Sequence, residues 1–241
     1  VYLILYKIKI MKKICIIPAR AGSKRIPNKN IKKFNGKPII YYPLSEIKNS
    51  KIFDEIIVSS DSKKILNLVK KLGFKECFVR PKSLSNDYVD TQAVILHAID
   101  WCKKNYFYPT FICCVYPTSV FFNKNHLQDS FSQIKNKRLK FVSSAAKFPF
   151  SLQRSFFLDK KKNIKILNKK MYGKRSQDLE TIYYDAAQFY WGTVEAWEKR
   201  KFSGIDTGIY ELPSAKLKDI DTLNDWKVSE NLFSLIKLKK L

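Results

Sequence analysis

Short apolar runs alternate along this chain with segments of helical period, and few folds accept that alternation. "KKICIIP" (12–18) is a continuous apolar run, as expected of a strand buried on both faces. "EIIVSSD" (55–61) and "ECFVRP" (76–81) read as the next two strands, the latter stopped by Pro81. "TFICCVYP" (110–117) is the most apolar and therefore the expected central strand. "KFVSSAA" (140–146) and "AAQFYWGT" (186–193) read as two more. Between them lie expected helices. One spans 38–49 with Pro38 at its start, and one has Ile65, Leu68, Val69 and Leu72 on one face and Gly73 as its C-terminal cap. Another runs from about Thr91 with Val94, Ile95, Ala98, Trp101 and Cys102 on one side, and another covers 124–137. Thr222 can cap a last helix that turns Leu223, Trp226, Phe233 and Ile236 inward. Repeated β-α units predict an α/β fold, a mostly parallel sheet with helices on both faces. From 147 to about 185 the alternation gives way to Lys-rich sequence with scattered aromatics.

A chain of 241 residues is long enough for one sizeable core. No apolar run approaches the roughly 18 residues that span a bilayer, so no membrane association is expected. The opening "VYLILYKIKI" places its cations after its apolar residues, which is wrong for a secretion signal. Residues 1–10 read as an upstream extension, with translation expected to begin at Met11. Five cysteines without a Cys-x-x-Cys pair read as core thiols in a reducing cytoplasm. His97 and His126 have no obvious ligand partners and read as solvated or core-edge residues.

The formal charge of +25 suggests nucleic acid, but only seven of the 46 cations are arginine, the residue such surfaces use most. A nucleic-acid-binding module would show steep salt dependence; it is the distant alternative here. The local distribution says more: no Asp or Glu precedes Glu46. "IIPARAGSKRIPNKNI" (16–31) follows the first strand directly, where open α/β sheets bind ligands. It matches neither a Walker loop nor a dinucleotide fingerprint, having Gly22 alone between Arg20 and Asn35. Arg20, Lys24, Arg25 and Lys29 lack a local counter-charge, so an anion is expected among them. Ala21, Gly22 and Ser23 are small enough for their N–H groups to approach phosphate oxygens. Asp219 and Asp221 in "KDIDT" are two apart, roughly 6.5 Å at Cα on one side of an extended segment. That pair suits magnesium, or else Asp221 caps the last helix while Asp219 is solvated.

The segment from Ile17 to Asn30 resembles the signature of the CMP-sugar-acid synthetases, which join a 2-keto sugar acid to CTP. "VSSD" (58–61), "VRPKSLSND" (79–87), "VYPTS" (115–119) and "DIDTLNDW" (219–226) follow in that family's order. The resemblance implies a Rossmann-like fold of the nucleotide-diphospho-sugar transferase type. It implies that Arg20, Gly22, Ser23 and Lys24 hold the triphosphate, with Lys29 and Asn30 near ribose and base and Arg80 lining a cytosine pocket. Magnesium on Asp219 and Asp221 is implied as well, with Arg20, Lys24 and Asp221 as the catalytic set. "YPTSVFF" (116–122) departs from the "QPTSPLR" of sialic acid synthetases, with Tyr116 for a glutamine and Phe122 for an arginine. "FPFSLQR" (148–154) and "RSQDLETIYYDAAQFYWG" (175–192) resemble the pseudaminic acid cytidylyltransferases. For a nine-carbon sugar acid the resemblance implies contacts from Tyr116, Thr118, Gln153, Arg154, Arg175 and Gln188, the arginines on its carboxylate. Sialic acid, legionaminic acid and Kdo are the alternative acceptors. Residues 147–185 would be an insertion on a core of 11–146 and 186–241. They would form a homodimerisation arm over the partner's site, and their aromatics (Phe148, Phe150, Phe156, Phe157, Tyr172) would otherwise be unexplained apolar surface.

Overall fold

The computed structural model describes residues 12–75, 77–105 and 108–238. The expected extension 1–10 and the expected start at Met11 lie outside them. Strand β1 (Lys13–Pro18) is followed by a two-residue hairpin pair, β2 (Lys33–Phe34) and β3 (Lys37–Pro38), and then by helix α1 (Tyr41–Ser50). Next come β4 (Glu55–Ser60), α2 (Lys63–Lys71), β5 (Cys77–Val79), α3 (Thr91–Lys104), β6 (Phe111–Val115) and α4 (Lys124–Lys137). Strand β7 (Phe141–Lys147) leads into an excursion holding the small hairpin β8 (Phe156–Leu158) and β9 (Ile164–Ile166) and the single turn α5 (Lys169–Tyr172). The chain returns as β10 (Tyr183–Thr193), α6 (Val194–Glu198), β11 (Thr207–Glu211) and α7 (Leu223–Lys237).

Seven strands form one sheet in the order β5-β4-β1-β6-β10-β7-β11. β10 runs antiparallel to both its neighbours, and every other adjacent pair is parallel. β6 occupies the fourth of the seven places, as its apolar content predicts. Alternate residues of β1 serve opposite faces. Cys15 and Ile17 pack with Leu44, Val69, Leu127 and Phe131 from α1, α2 and α4, whereas Ile14 and Ile16 pack with Ile95, Ala98 and Trp197 from α3 and α6. All five cysteines are unbridged, four of them buried.

Local chemistry ends the elements as expected in several places. Gly73, at φ +89°, closes α2, where its N–H donates to the Lys70 carbonyl (2.9 Å) and the Phe74 N–H to that of Val69 (3.2 Å). Thr222 caps α7, its Oγ1 accepting from the Asp225 N–H at 3.1 Å while Asp225 Oδ2 accepts from the Thr222 N–H at 2.9 Å.

Other expectations fail for identifiable reasons. Pro38 does not open a helix; it pairs with Lys33 in β3, because Asn35 (φ 41°) and Gly36 (φ 87°) make a tight Asn-Gly hairpin turn. The helix therefore starts at Tyr41. Leu223 is 54% exposed rather than inward, since the first residue after the cap faces solvent; Ile236 is half-buried. Phe148 packs on Tyr184 at 5.0 Å between centroids and is not fully exposed. β10 begins at Tyr183, which pairs with Lys147, so the edges of the irregular segment join the sheet; a bulge at Ala187 (φ 51°) follows. α6 and β11 were not foreseen. Gly204 and Gly208 give the latter's sequence the look of a loop, although Gly208 lies within the strand, where a Cβ would sit 2.8 Å from Leu139 Cδ1.

Candidate active site

The strand order reverses between β1 and β6, so their carboxyl ends open a crevice. The loop leaving β1 is shaped by three internal contacts. Asp61 Oδ1 accepts from the Ala21 N–H at 2.8 Å, Asn30 Nδ2 donates to the Arg20 carbonyl at 2.8 Å, and Ile26 is buried beside Phe34, Trp226 and Phe233. Asn30 thus holds the loop from within.

The loop lines a cavity of about 530 Å³ with Arg20, Ser23, Lys24, Arg25, Lys29 and Asn30. Arg80, Asp87, Tyr116, Thr118 and Asp221 complete its wall. Arg80 is only 3% exposed and donates from Nε to Ser85 Oγ at 3.0 Å. Burial lowers its pKa, yet a guanidinium stays charged. Burial also lowers that of Lys29, against the pull of Asp221 and Asp219.

The cations are not left without counter-charge, as the local sequence had suggested. Asp87 reaches Arg20 Nη1 with Oδ1 (2.6 Å) and Lys24 Nζ with Oδ2 (2.8 Å). Asp221 Oδ1 lies 2.8 Å from Arg25 Nη2 and 3.6 Å from Lys29 Nζ. Both carboxylates arrive from remote parts of the chain.

Tyr116 separates this cavity from a second chamber of about 360 Å³, and both chambers are lined by Tyr116 and Thr91. The Tyr116 hydroxyl shares a hydrogen bond with Thr91 Oγ1 at 2.8 Å, and burial pushes it up to about 12. Tyr190 meets the Tyr116 ring edge-on at 5.5 Å and donates its hydroxyl to Asp185 Oδ2 at 2.7 Å. Burial, then Tyr116 and Asp185, raise the Tyr190 pKa strongly. Arg200 pairs with Asp90 on the same wall, and Phe202 and Trp197 add apolar surface.

Several predicted site residues stand elsewhere. Gly22 is exposed outside the cavity wall, and a Cβ there would meet nothing within 4 Å. Gln188 is spent internally, accepting from the Phe121 N–H (3.1 Å) and donating to the Ala186 carbonyl (3.0 Å). Phe122 is buried in the core against Phe189 and does not make the site less polar. Gln153, Arg154 and Arg175 belong to the excursion after β7. There they bond to the Glu180 carbonyl, Ser176 and Asp178 respectively. Neither His97 nor His126 lines either chamber.

The Asp219–Asp221 pair fits a hard cation in donor type, while Asp219 Oδ1 accepts from the Ile220 N–H at 2.8 Å and Asp221 Oδ1 pairs with Arg25. Ile220 between them is 2% exposed, so both carboxylates project away from the core, Asp221 into the cavity wall and Asp219 exposed beside it. Among the described residues no group of three or more His, Cys, Asp or Glu could hold a metal, so a cation here would need oxygens from a ligand. Asp61, Asp87, Asp185 and Tyr190 lie inside motifs that carry the resemblance but had no role assigned, and Arg200 lies outside all of them.

A family model described as cytidylyltransferase matches residues 14–231. A Campylobacter jejuni protein named pseudaminic acid cytidylyltransferase is 39% identical over 226 residues, covering 93% of this chain and 97% of that protein. The CMP-N,N'-diacetyllegionaminic acid synthase of Legionella pneumophila is 28% identical over 233 residues, covering 93% and 97%. The fold is similar to that of a CMP:2-keto-3-deoxy-manno-octonic acid synthetase solved with CTP. That match has a TM-score of 0.70 and 12% identity, over 95% of this chain and 99% of the other. On the family match and the 39% identity to the Campylobacter jejuni protein, the chain belongs to the cytidylyltransferase family.

Proposed function

We propose that this protein transfers CMP from CTP to the anomeric hydroxyl of pseudaminic acid and releases pyrophosphate. One observation carries the reading: a cavity lined by Arg20, Lys24, Arg25 and Lys29 adjoins, through Tyr116, a chamber walled by aromatics. The cations suit a triphosphate, and the aromatic walls suit a sugar acid with deoxygenated carbons. The likeness to the Campylobacter protein supports this choice of acceptor.

In this reading Arg20, Ser23 and Lys24 bind the phosphates while Arg80 faces the base. The anomeric hydroxyl gives up its proton to water and its oxygen bonds to the α-phosphorus as the bond to the pyrophosphate oxygen breaks on the far side. Positioning and charge stabilisation by fixed cations supply most of the effect. Asp219 and Asp221 would hold magnesium, which when bound supplies positive charge at the α-phosphate. A panel of sugar acids with CTP, followed by pyrophosphate release, tests the acceptor. Turnover with pseudaminic acid is expected to exceed that with N-acetylneuraminic and legionaminic acids; the reverse order reassigns the enzyme.

The hairpin β8–β9 exposes Phe156, Phe157, Leu158 and Ile164, with Phe150 exposed nearby. We assign that surface to a second copy of the chain, which would bring Arg154 and Arg175 towards the partner's sugar acid. Sedimentation is expected to give twice the 28.3 kDa chain mass; a strictly monomeric particle would remove the dimer. No helix among the described residues is long and apolar enough to cross a membrane. Cytoplasmic CMP-sugar synthesis is the setting we propose.

A further inference from the structure

Asp87 divides its carboxylate between two cations of the β1 loop, Oδ1 to Arg20 and Oδ2 to Lys24, at 2.6 and 2.8 Å. An oxyanion with two oxygens so placed has the form of a phosphate group held in the same grip. The carboxylate comes from the segment between β5 and α3, which is tied down on both sides of Asp87. The Arg80 N–H donates to the Ser60 carbonyl (2.8 Å), Asn86 Oδ1 accepts from the Tyr88 and Val89 N–H groups, and Asp90 caps α3 through the Ala93 N–H (2.8 Å). Little packing holds the stretch between these ties, for Tyr88 is 96% exposed. The backbone around Asp87 is thus fixed by these ties, while its carboxylate is held by the two ion pairs, the contacts an incoming polyphosphate would take over. The hydrogen bonds from Lys24 and then Arg20 hold its carboxyl below the usual carboxylate range, so it is an anion at neutral pH.

We propose that Asp87 is an internal anion that competes with the phosphates of the nucleotide for Arg20 and Lys24, and so weakens the hold on every polyphosphate, the departing pyrophosphate product included. This rests on the cytidylyltransferase reading of the cavity. A free site in which the cations are already neutralised binds any polyphosphate more weakly, by the fraction of time the carboxylate is away. CTP offsets that loss through its base and ribose contacts, which pyrophosphate lacks. After transfer, the returning carboxylate replaces the departing pyrophosphate and leaves the two cations paired rather than repelling each other. The CMP moiety of the product, which carries neither departing phosphate, is indifferent to Asp87.

The test is calorimetric titration of inorganic pyrophosphate, CTP and CMP into wild type, Asp87→Asn and Asp87→Glu, with thermal midpoints recorded for each. Two exposed pairs imply that Asp87→Asn binds pyrophosphate about fivefold more tightly. CTP binding should tighten similarly, CMP binding should hardly change, and Asp87→Glu should stay near wild type. In turnover, pyrophosphate should inhibit Asp87→Asn more strongly by the same factor. Weaker or unchanged pyrophosphate binding in a folded Asp87→Asn, with wild type binding CTP normally, overturns the role of Asp87. A wild-type protein that binds neither CTP nor pyrophosphate overturns the nucleotide reading of the cavity itself.

Discussion

Asp221→Asn is expected to lower kcat by about a thousandfold, the upper end of the loss on removing one charge-stabilising group from an active site. The substitution keeps the size of the side chain and removes only its charge. It also frees Arg25 and Lys29 from their counter-ion, for both contact Asp221 Oδ1. The KM for CTP should therefore stay level or fall while kcat drops. That split separates loss of a metal-holding carboxylate from loss of nucleotide binding. Stability should change little, because the closer pair, with Arg25, is largely exposed and such pairs contribute little to it. Initial rates of pyrophosphate release and a thermal melt suffice as checks. A near-normal kcat would take Asp221 out of the proposed magnesium role.

Trp191→Ala is expected to cost about 3–5 kcal/mol, the range for truncating a large buried aromatic. Trp191 is wholly buried in β10, stacked on Phe53 at 5.2 Å with an interplanar angle of 11° and packed against Phe131 at 5.0 Å. Its Nε1 donates to the buried Ser130 Oγ at 3.1 Å, so truncation also leaves a polar atom without a donor. The loss should appear as a lower denaturant midpoint with little change in slope. A midpoint within experimental error of wild type would mean that β10 does not anchor the helices on that face of the sheet.

Much of the fold was legible because its signals are local. The apolar runs of β1 and β6, the Gly73 cap and the Thr222 cap each depend on neighbours within a few residues. Where the reading failed, a longer-range term decided. β11 has a weak signal of its own and is a strand because β7 offers it a parallel edge, Thr207 against Phe141 through Glu211 against Ala145. Pro38 is the exception, a local one: the Asn35-Gly36 turn folds it back against Lys33 before α1 begins.

The candidate site divides the same way. Order along the chain determined that a basic loop follows the first strand, that Arg80 ends another strand, and that two aspartates flank Ile220; the family could be read from those motifs alone. Tertiary structure decided which charges meet. Asp87 lies 67 residues from Arg20 in sequence, and no pattern near either residue announces the pair. It likewise put Gln188 to work bracing a loop and joined Tyr116, Tyr190 and Asp185 into a second chamber. The physical reason is range: periodicity and caps arise from contacts a turn or a pleat apart, whereas electrostatic partners are chosen by which strand ends the sheet brings together.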